Sequence, residues 1–99
     1  MQRWSVYIVR CADGTLYTGV ATDVARRVEE HNSNKLLAAN YTRARRPVTL
    51  VYSERAATRS AACKREYQIK QLRRQDKEAL VAATKRSGLK SHLKQRDIT

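Results

Sequence analysis

Five side chains in this 99-residue chain could act together on a charged, oxygen-rich substrate: the phenols of Tyr7 and Tyr17, the guanidinium of Arg27, the imidazole of His31 and the carboxylate of Glu66. A planar guanidinium matches two phosphate oxygens better than a compact ammonium does. An imidazole, with an ordinary pKa of about 6.5, exchanges protons near neutrality without help. A free phenol, near pKa ~10, stands about 3 units or roughly 4 kcal/mol from acting as a base at pH 7. Nearby cations favour the phenolate, so a tyrosine base requires an assembled site.

The elements that must position these groups start with a hairpin. Trp4 to Val9 and Thr15 to Val20 are rich in β-branched and aromatic residues, and Ala12-Asp13-Gly14 punctuates the junction. A two-residue Asp13-Gly14 loop would pair Tyr17 with Arg10 and put the two phenols on opposite faces. A three-residue turn, with Gly14 left-handed as a bulge, sets Tyr17 opposite Val9 and brings both phenols to one face; this is the turn expected. Thr22 or Asp23 caps the next segment, where Val24, Val28 and His31 recur at i, i+4 and i+7 as a short amphipathic helix. At about 100° per residue Arg27 flanks the docked stripe and Arg26 faces water. Arg27 and His31 are then neighbours on one helix edge.

Further along, residues 33–46 have weak periodicity, with at most a helical turn at Leu36-Leu37-Ala38-Ala39. They end in a basic, aromatic stretch whose Tyr41, Arg43, Arg45 and Arg46 read either as a substrate-facing loop on phosphates or as a solvated connection. Val48 to Ser53 suits a third strand. A helix from Thr58 or Ser60 toward Arg73 or Arg74 would bury Ala62, Ile69 and Leu72, with Glu66 at the edge of that stripe. A carboxylate there needs a partner, which leaves an arginine ion pair and a cation as the two options. Another helix covers Asp76 to Ala83 with a glycine cap near Ser87-Gly88, followed by a basic tail over 87–99.

Composition sets outer bounds. The length suits one domain with its core over about 3–86. With 21 Lys plus Arg against 9 Asp plus Glu, the net charge is +12, and a field of that sign favours nucleic acid as partner. Cys11 and Cys63 form no CxxC pair, and His31 and His92 are the only histidines, so no disulfide framework or zinc centre is indicated. No apolar run approaches the ~20 residues that span a membrane, and the N-terminus has no signal-peptide pattern, so a cytoplasmic location is expected. Oligomeric state is not legible.

Ser5-Val6-Tyr7, Tyr17-Thr18-Gly19, Arg27 ten residues later and then His31-Asn32 resemble the core of the GIY-YIG nuclease family, in its small single-domain bacterial form. Tyr41-Thr42-Arg43, Arg46-Pro47-Val48, Leu50-Val51-Tyr52 and Lys64-Arg65-Glu66-Tyr67 with Ile69-Lys70 extend the likeness over most of the chain. Ser5 and Thr18 depart from the name motif at backbone or packing positions. The resemblance implies an α+β fold, sandwich-like, with a three-stranded antiparallel sheet flanked by helices in the order β-β-α-(short α)-β-α-α. It also implies a metal-dependent endonuclease acting on DNA, structured or single-stranded, in repair or processing.

On that likeness Glu66 holds one Mg²⁺ or Mn²⁺ ion, a hard cation suited to carboxylate oxygen. Arg27 grips the scissile phosphate and Tyr17 orients the water or a phosphate oxygen. Tyr7 or His31 is the general base, a choice the sequence leaves open. Gly19, Tyr41, Arg43, Arg45 and Arg46 are the substrate-binding candidates. Each residue also has a plain reading: a strand tyrosine packs, a strand glycine marks a close backbone approach, and a histidine near a helix end caps it. The competing functional class is a nucleic-acid-binding module with this fold that does not cut.

Overall fold

A central strand, β1 (Trp4–Arg10), runs between β2 (Leu16–Ala21) and β3 (Thr49–Ala56) in an antiparallel sheet of order β2-β1-β3. The computed structural model describes residues 3–33 and 39–83. Being covered on both faces, β1 is buried without interruption from Val6 to Val9 rather than alternately. Helices α1 (Val24–Ser33), α2 (Asn40–Arg43) and α3 (Arg59–Lys70), and a fourth, α4, over 74–83, complete the α+β architecture. The expected fold class and element order are both found.

The sheet separates two cores. On one face Val6 and Ile8 pack with Tyr52, Ala62, Ile69 and Val81, so α3 and α4 cover that side. On the other, Tyr7, Val9, Cys11 and Val48 pack with Tyr17, Val24 and Val28, which places α1 there. The hairpin turn decides which residues share a face. Gly14 has φ of +87°, its N–H reaches the Cys11 carbonyl at 2.9 Å, and Tyr17 pairs with Val9. This is the bulged three-residue turn, and both phenols stand on the α1 side.

Four local expectations need correction. Leu72 does not belong to the buried stripe of α3 and is 37% exposed. The helix ends at Lys70, the Leu72 N–H turns back to the Ile69 carbonyl at 3.0 Å, and the tightened turn carries Leu72 off the apolar face. Strand β3 continues through Ser53-Glu54-Arg55 to Ala56, because an edge strand with one open side accepts polar residues. Tyr41 and Arg43 lie on α2 rather than in a loop. Helix α4 begins at 74, two residues before Asp76. Of the turn expected at Leu36 to Ala39, only Ala39 is described, and it is extended. The cap at Ser87-Gly88, the basic tail and His92 lie outside the described residues. Cys11 and Cys63 are free thiols. Among the described residues no helix is long and apolar enough to cross a membrane.

Two polar clamps hold the helices in place. The Asn32 side chain pairs with the Val48 backbone in both directions, donating to its carbonyl at 2.9 Å and accepting its N–H at 2.7 Å. At the hairpin end, Arg10 makes a two-pronged pair with Glu78 of α4 at 2.9 and 2.7 Å, and Arg74 donates to the Gly14 carbonyl at 2.8 Å. Truncating the first clamp strands a backbone donor and acceptor, so Asn32→Ala should lower unfolding stability by about 2 kcal/mol, measured by urea titration.

Candidate active site

The site is built around a tyrosine seated on a glycine. Register pairs Tyr7 with Gly19, and a Cβ at position 19 would lie 2.6 Å from the Tyr7 hydroxyl and 2.7 Å from its Cζ. Only hydrogen fits there, so the phenol lies across β2 and its hydroxyl reaches α1. On that helix the Asp23 side chain caps the first turn by accepting the Arg26 N–H at 3.1 Å. The helical spacing then delivers His31 to the buried face. His31 Nε2 lies 2.8 Å from the Tyr7 hydroxyl.

On the far side of the ring, His31 Nδ1 lies 2.8 Å from the Thr42 hydroxyl, which is itself 3.1 Å from the Ala39 carbonyl. A carbonyl only accepts, so the single Thr42 proton goes to it and the hydroxyl accepts Nδ1–H. This hydrogen-bond assignment leaves Nε2 as the acceptor for the Tyr7 O–H. The Ala39 N–H also points at Nδ1, at 3.5 Å, a longer and weaker contact than the 2.8 Å one with Thr42.

The same edge of α1 carries Arg27, whose side chain is 28% exposed against 74% for Arg26, as the helical spacing implies. Arg27 pairs with Glu30 at 3.0 Å, and its charge acts on the Tyr7 phenol. Arg27 lines a groove of about 290 Å³ that also touches Trp4 and Glu30. A larger cavity, of about 460 Å³, lies at Arg10, Leu50 and Glu78 and contains none of the five residues. Chemistry favours the smaller groove, which of the five residues contains Arg27.

Tyr17 meets the His31 ring edge-on, with centroids 5.5 Å apart. Glu66 stands on α3, partly buried and paired with Lys70 at 3.2 Å, and the Lys70 ammonium lies 5.9 Å from the Tyr17 ring centre. The Glu66 charge is felt at Tyr7. Tyr7, Tyr17 and His31 thus form one contact cluster with Arg27 at its edge, and Glu66 on α3 reaches it through Lys70, which lies against Tyr17.

The substrate-binding candidates divide. Tyr41 stacks on Tyr17 at 5.8 Å. Arg45 lies 4.0 Å over the Tyr41 ring, donates to the Tyr41 carbonyl at 2.8 Å and pairs with Asp13 at 3.1 Å. Its fork is therefore occupied in bracing α2 against the hairpin turn. Arg46 acts on His31 through its charge, and its Nε and Nη2 are buried with no hydrogen-bond partner among the described residues. Arg43 is exposed on α2. Gly19 is buried beneath the phenol and serves as its seat. Sequence reasoning missed Thr42, which orients the imidazole, and Lys70, which pairs with Glu66; both lay inside fragments quoted for the resemblance and had no assigned role.

Burial dominates the site's electrostatics. It pushes Tyr7 up to about 12, with the Tyr17 and Glu66 charges adding and the Arg27 guanidinium opposing. It also holds His31 down to about 4, helped by Arg27 and Arg46 and opposed by Glu30. At neutral pH the pair is therefore a neutral phenol donating to a neutral imidazole.

For a metal, no group of three or more His, Cys, Asp or Glu side chains converges among the described residues. A single partly buried carboxylate suits a hard divalent ion that keeps most of its water, and Glu66 fits that description.

The GIY-YIG catalytic domain model matches residues 3–79. The chain belongs to the GIY-YIG family, whose domain is a nuclease-type fold. It is similar to a UPF0213 protein of Desulfotalea psychrophila, 59% identical over 83 residues that cover 84% of this chain and 74% of the relative. Solution NMR structures of a UPF0213 protein of Bacillus halodurans and of a protein of E. faecalis are also similar. The first has 43% identity and a TM-score of 0.52, covering 84% of this chain and 85% of that one. The second has 36% identity and a TM-score of 0.57, covering 85% and 88%.

The depressed His31 pKa has a direct test. Between pH 6.5 and 4 the unfolded chain protonates this imidazole and the native state does not, so stability falls as pH drops through that window. Wild type should lose up to about 3 kcal/mol more than His31→Gln between pH 7 and pH 4, by denaturant titration at each pH. Equal losses would contradict a neutral buried imidazole.

Proposed function

We propose that this protein is a divalent-metal-dependent nuclease that hydrolyses DNA phosphodiester bonds with weak sequence specificity, in structured or single-stranded DNA. The observation that carries this reading is the Tyr7 hydroxyl, 2.8 Å from His31 Nε2 and within the field of the Arg27 charge, on a nuclease-type fold. A charge of +12 supports a polyanionic substrate, bound largely through phosphates that carry no sequence information.

Held by Glu66, an Mg²⁺ or Mn²⁺ ion would supply positive charge for the phosphoryl oxygens. Arg27 grips two oxygens of the scissile phosphate, a geometry lysine does not reproduce. Both base candidates are buried, Tyr7 at 1% and His31 at 0% exposure, so they are distinguished by their partners. His31 has both ring nitrogens engaged, by Tyr7 and by Thr42. We assign Tyr7 as the base, because the Arg27 charge also acts on its phenol, and His31 Nε2 faces the phenol proton. Thr42 holds the imidazole in the tautomer that can accept it.

Starting from about 12, the phenol lies about 5 units, or roughly 7 kcal/mol, from a populated phenolate at pH 7. An ion held by Glu66 would supply cationic charge that narrows this gap, in the same sense as the Arg27 charge already acts on Tyr7. Tyr17, packed against His31, orients the water or a phosphate oxygen. Arg43 and Arg46 contact flanking phosphates, while Tyr41 and Arg45 brace the wall. The raised Tyr7 pKa is the observation that favours the second reading, a nucleic-acid-binding module that does not cut.

Incubation with single-stranded, duplex and branched DNA and RNA, in Mg²⁺ or EDTA, separates the two. Metal-dependent cleavage of DNA is expected, reduced at least ~100-fold by Arg27→Ala, Arg27→Lys, Tyr7→Phe or Glu66→Gln. Binding without cleavage across the whole panel would establish the second reading.

A further inference from the structure

Lys70 is in contact with the site but has no role in the chemistry above. We infer that its ammonium is the resident counter-cation of Glu66, the group that a divalent ion must displace to reach the carboxylate. The inference rests on Glu66 being the metal ligand.

The geometry is specific. Lys70 follows Glu66 by one helical turn, and Nζ lies 3.2 Å from Oε2. This is the ion pair found for Glu66 among the described residues, since the adjacent Arg65 is engaged with Glu54 at 3.0 Å on β3. A hydrated divalent ion binds a carboxylate oxygen at about 2.0–2.1 Å and surrounds itself with water. It cannot share Oε2 with an ammonium at contact distance, and two like charges there repel.

Two features make displacement feasible rather than blocked. The Lys70 side chain is 47% exposed, against 22% for Glu66, so the ammonium can leave while the carboxylate stays. The Tyr17 face, 5.9 Å from Nζ, offers the freed ammonium a second resting place beside the site. Without metal, Lys70 offsets part of the carboxylate charge that acts on Tyr7. With metal bound, the same ammonium is released beside the Tyr17 ring.

Mn²⁺ titration followed by EPR of the free ion measures this without any turnover. An exposed pair of this kind is worth a few-fold in an equilibrium constant, so Lys70→Met should bind Mn²⁺ about fivefold more tightly than wild type. Lys70→Arg, which keeps the charge, should bind no more tightly than wild type, and Glu66→Gln should lose the site. Thermal melts of all three confirm folding. If Glu66→Gln abolishes binding but Lys70→Met binds no more tightly than wild type, the role given to Lys70 is wrong and the metal assignment stands. If Glu66→Gln binds as wild type does, the metal assignment falls and this inference falls with it.

Discussion

The hydrogen bond between Tyr7 and His31 depends on a missing side chain. Because position 19 carries no Cβ, the phenol can cross the neighbouring strand and meet α1; any larger residue would collide with the ring at 2.6 to 2.7 Å. That bond joins the central strand to α1, and the imidazole passes the linkage on to Thr42 of α2. Sheet, α1 and α2 are thus tied by one line of three polar side chains through an otherwise apolar layer. Buried polar groups are costly unless every member is satisfied, and here each has a partner.

The same burial that makes the line rigid keeps it unreactive at rest. A phenol near 12 and an imidazole near 4 hold their protons in one arrangement across the neutral range. Charge is kept to the rim: Arg27 with Glu30 on α1, and Lys70 with Glu66 on α3. Chemistry on this framework would be controlled by which ions occupy the rim, not by the pH of the surroundings.

Much of this was readable from spacing. Counting residues across Ala12-Asp13-Gly14 decided the face of Tyr17, because strand alternation turns one residue of loop length into opposite sides of a sheet. Helical periodicity separated Arg27 from Arg26 and buried His31 for the same kind of reason. What spacing could not supply was tertiary. Leu72 carries the right interval for a stripe, but a periodic pattern does not show where the helix stops. Ser53-Glu54-Arg55 looks like the end of a strand until one knows that the strand lies at an edge. Arg45 is indistinguishable from a phosphate ligand by sequence, and its engagement with Asp13 and Tyr41 depends on the turn and α2 meeting in space. The GIY-YIG resemblance located the site, and the bonds within it became visible only in the fold.

The grip of α4 on the hairpin bears on how the chain can be cut or extended. Arg10 and the Gly14 carbonyl, at either side of the turn, are held by residues 68 and 60 positions away, Glu78 and Arg74. The loop whose length determines where Tyr17 stands is therefore buttressed by the last described helix. A fragment ending before Arg74 would retain all five cluster residues yet lose the outside support of that loop. The smallest autonomous unit is set by this strut, several residues beyond the last group with a chemical task.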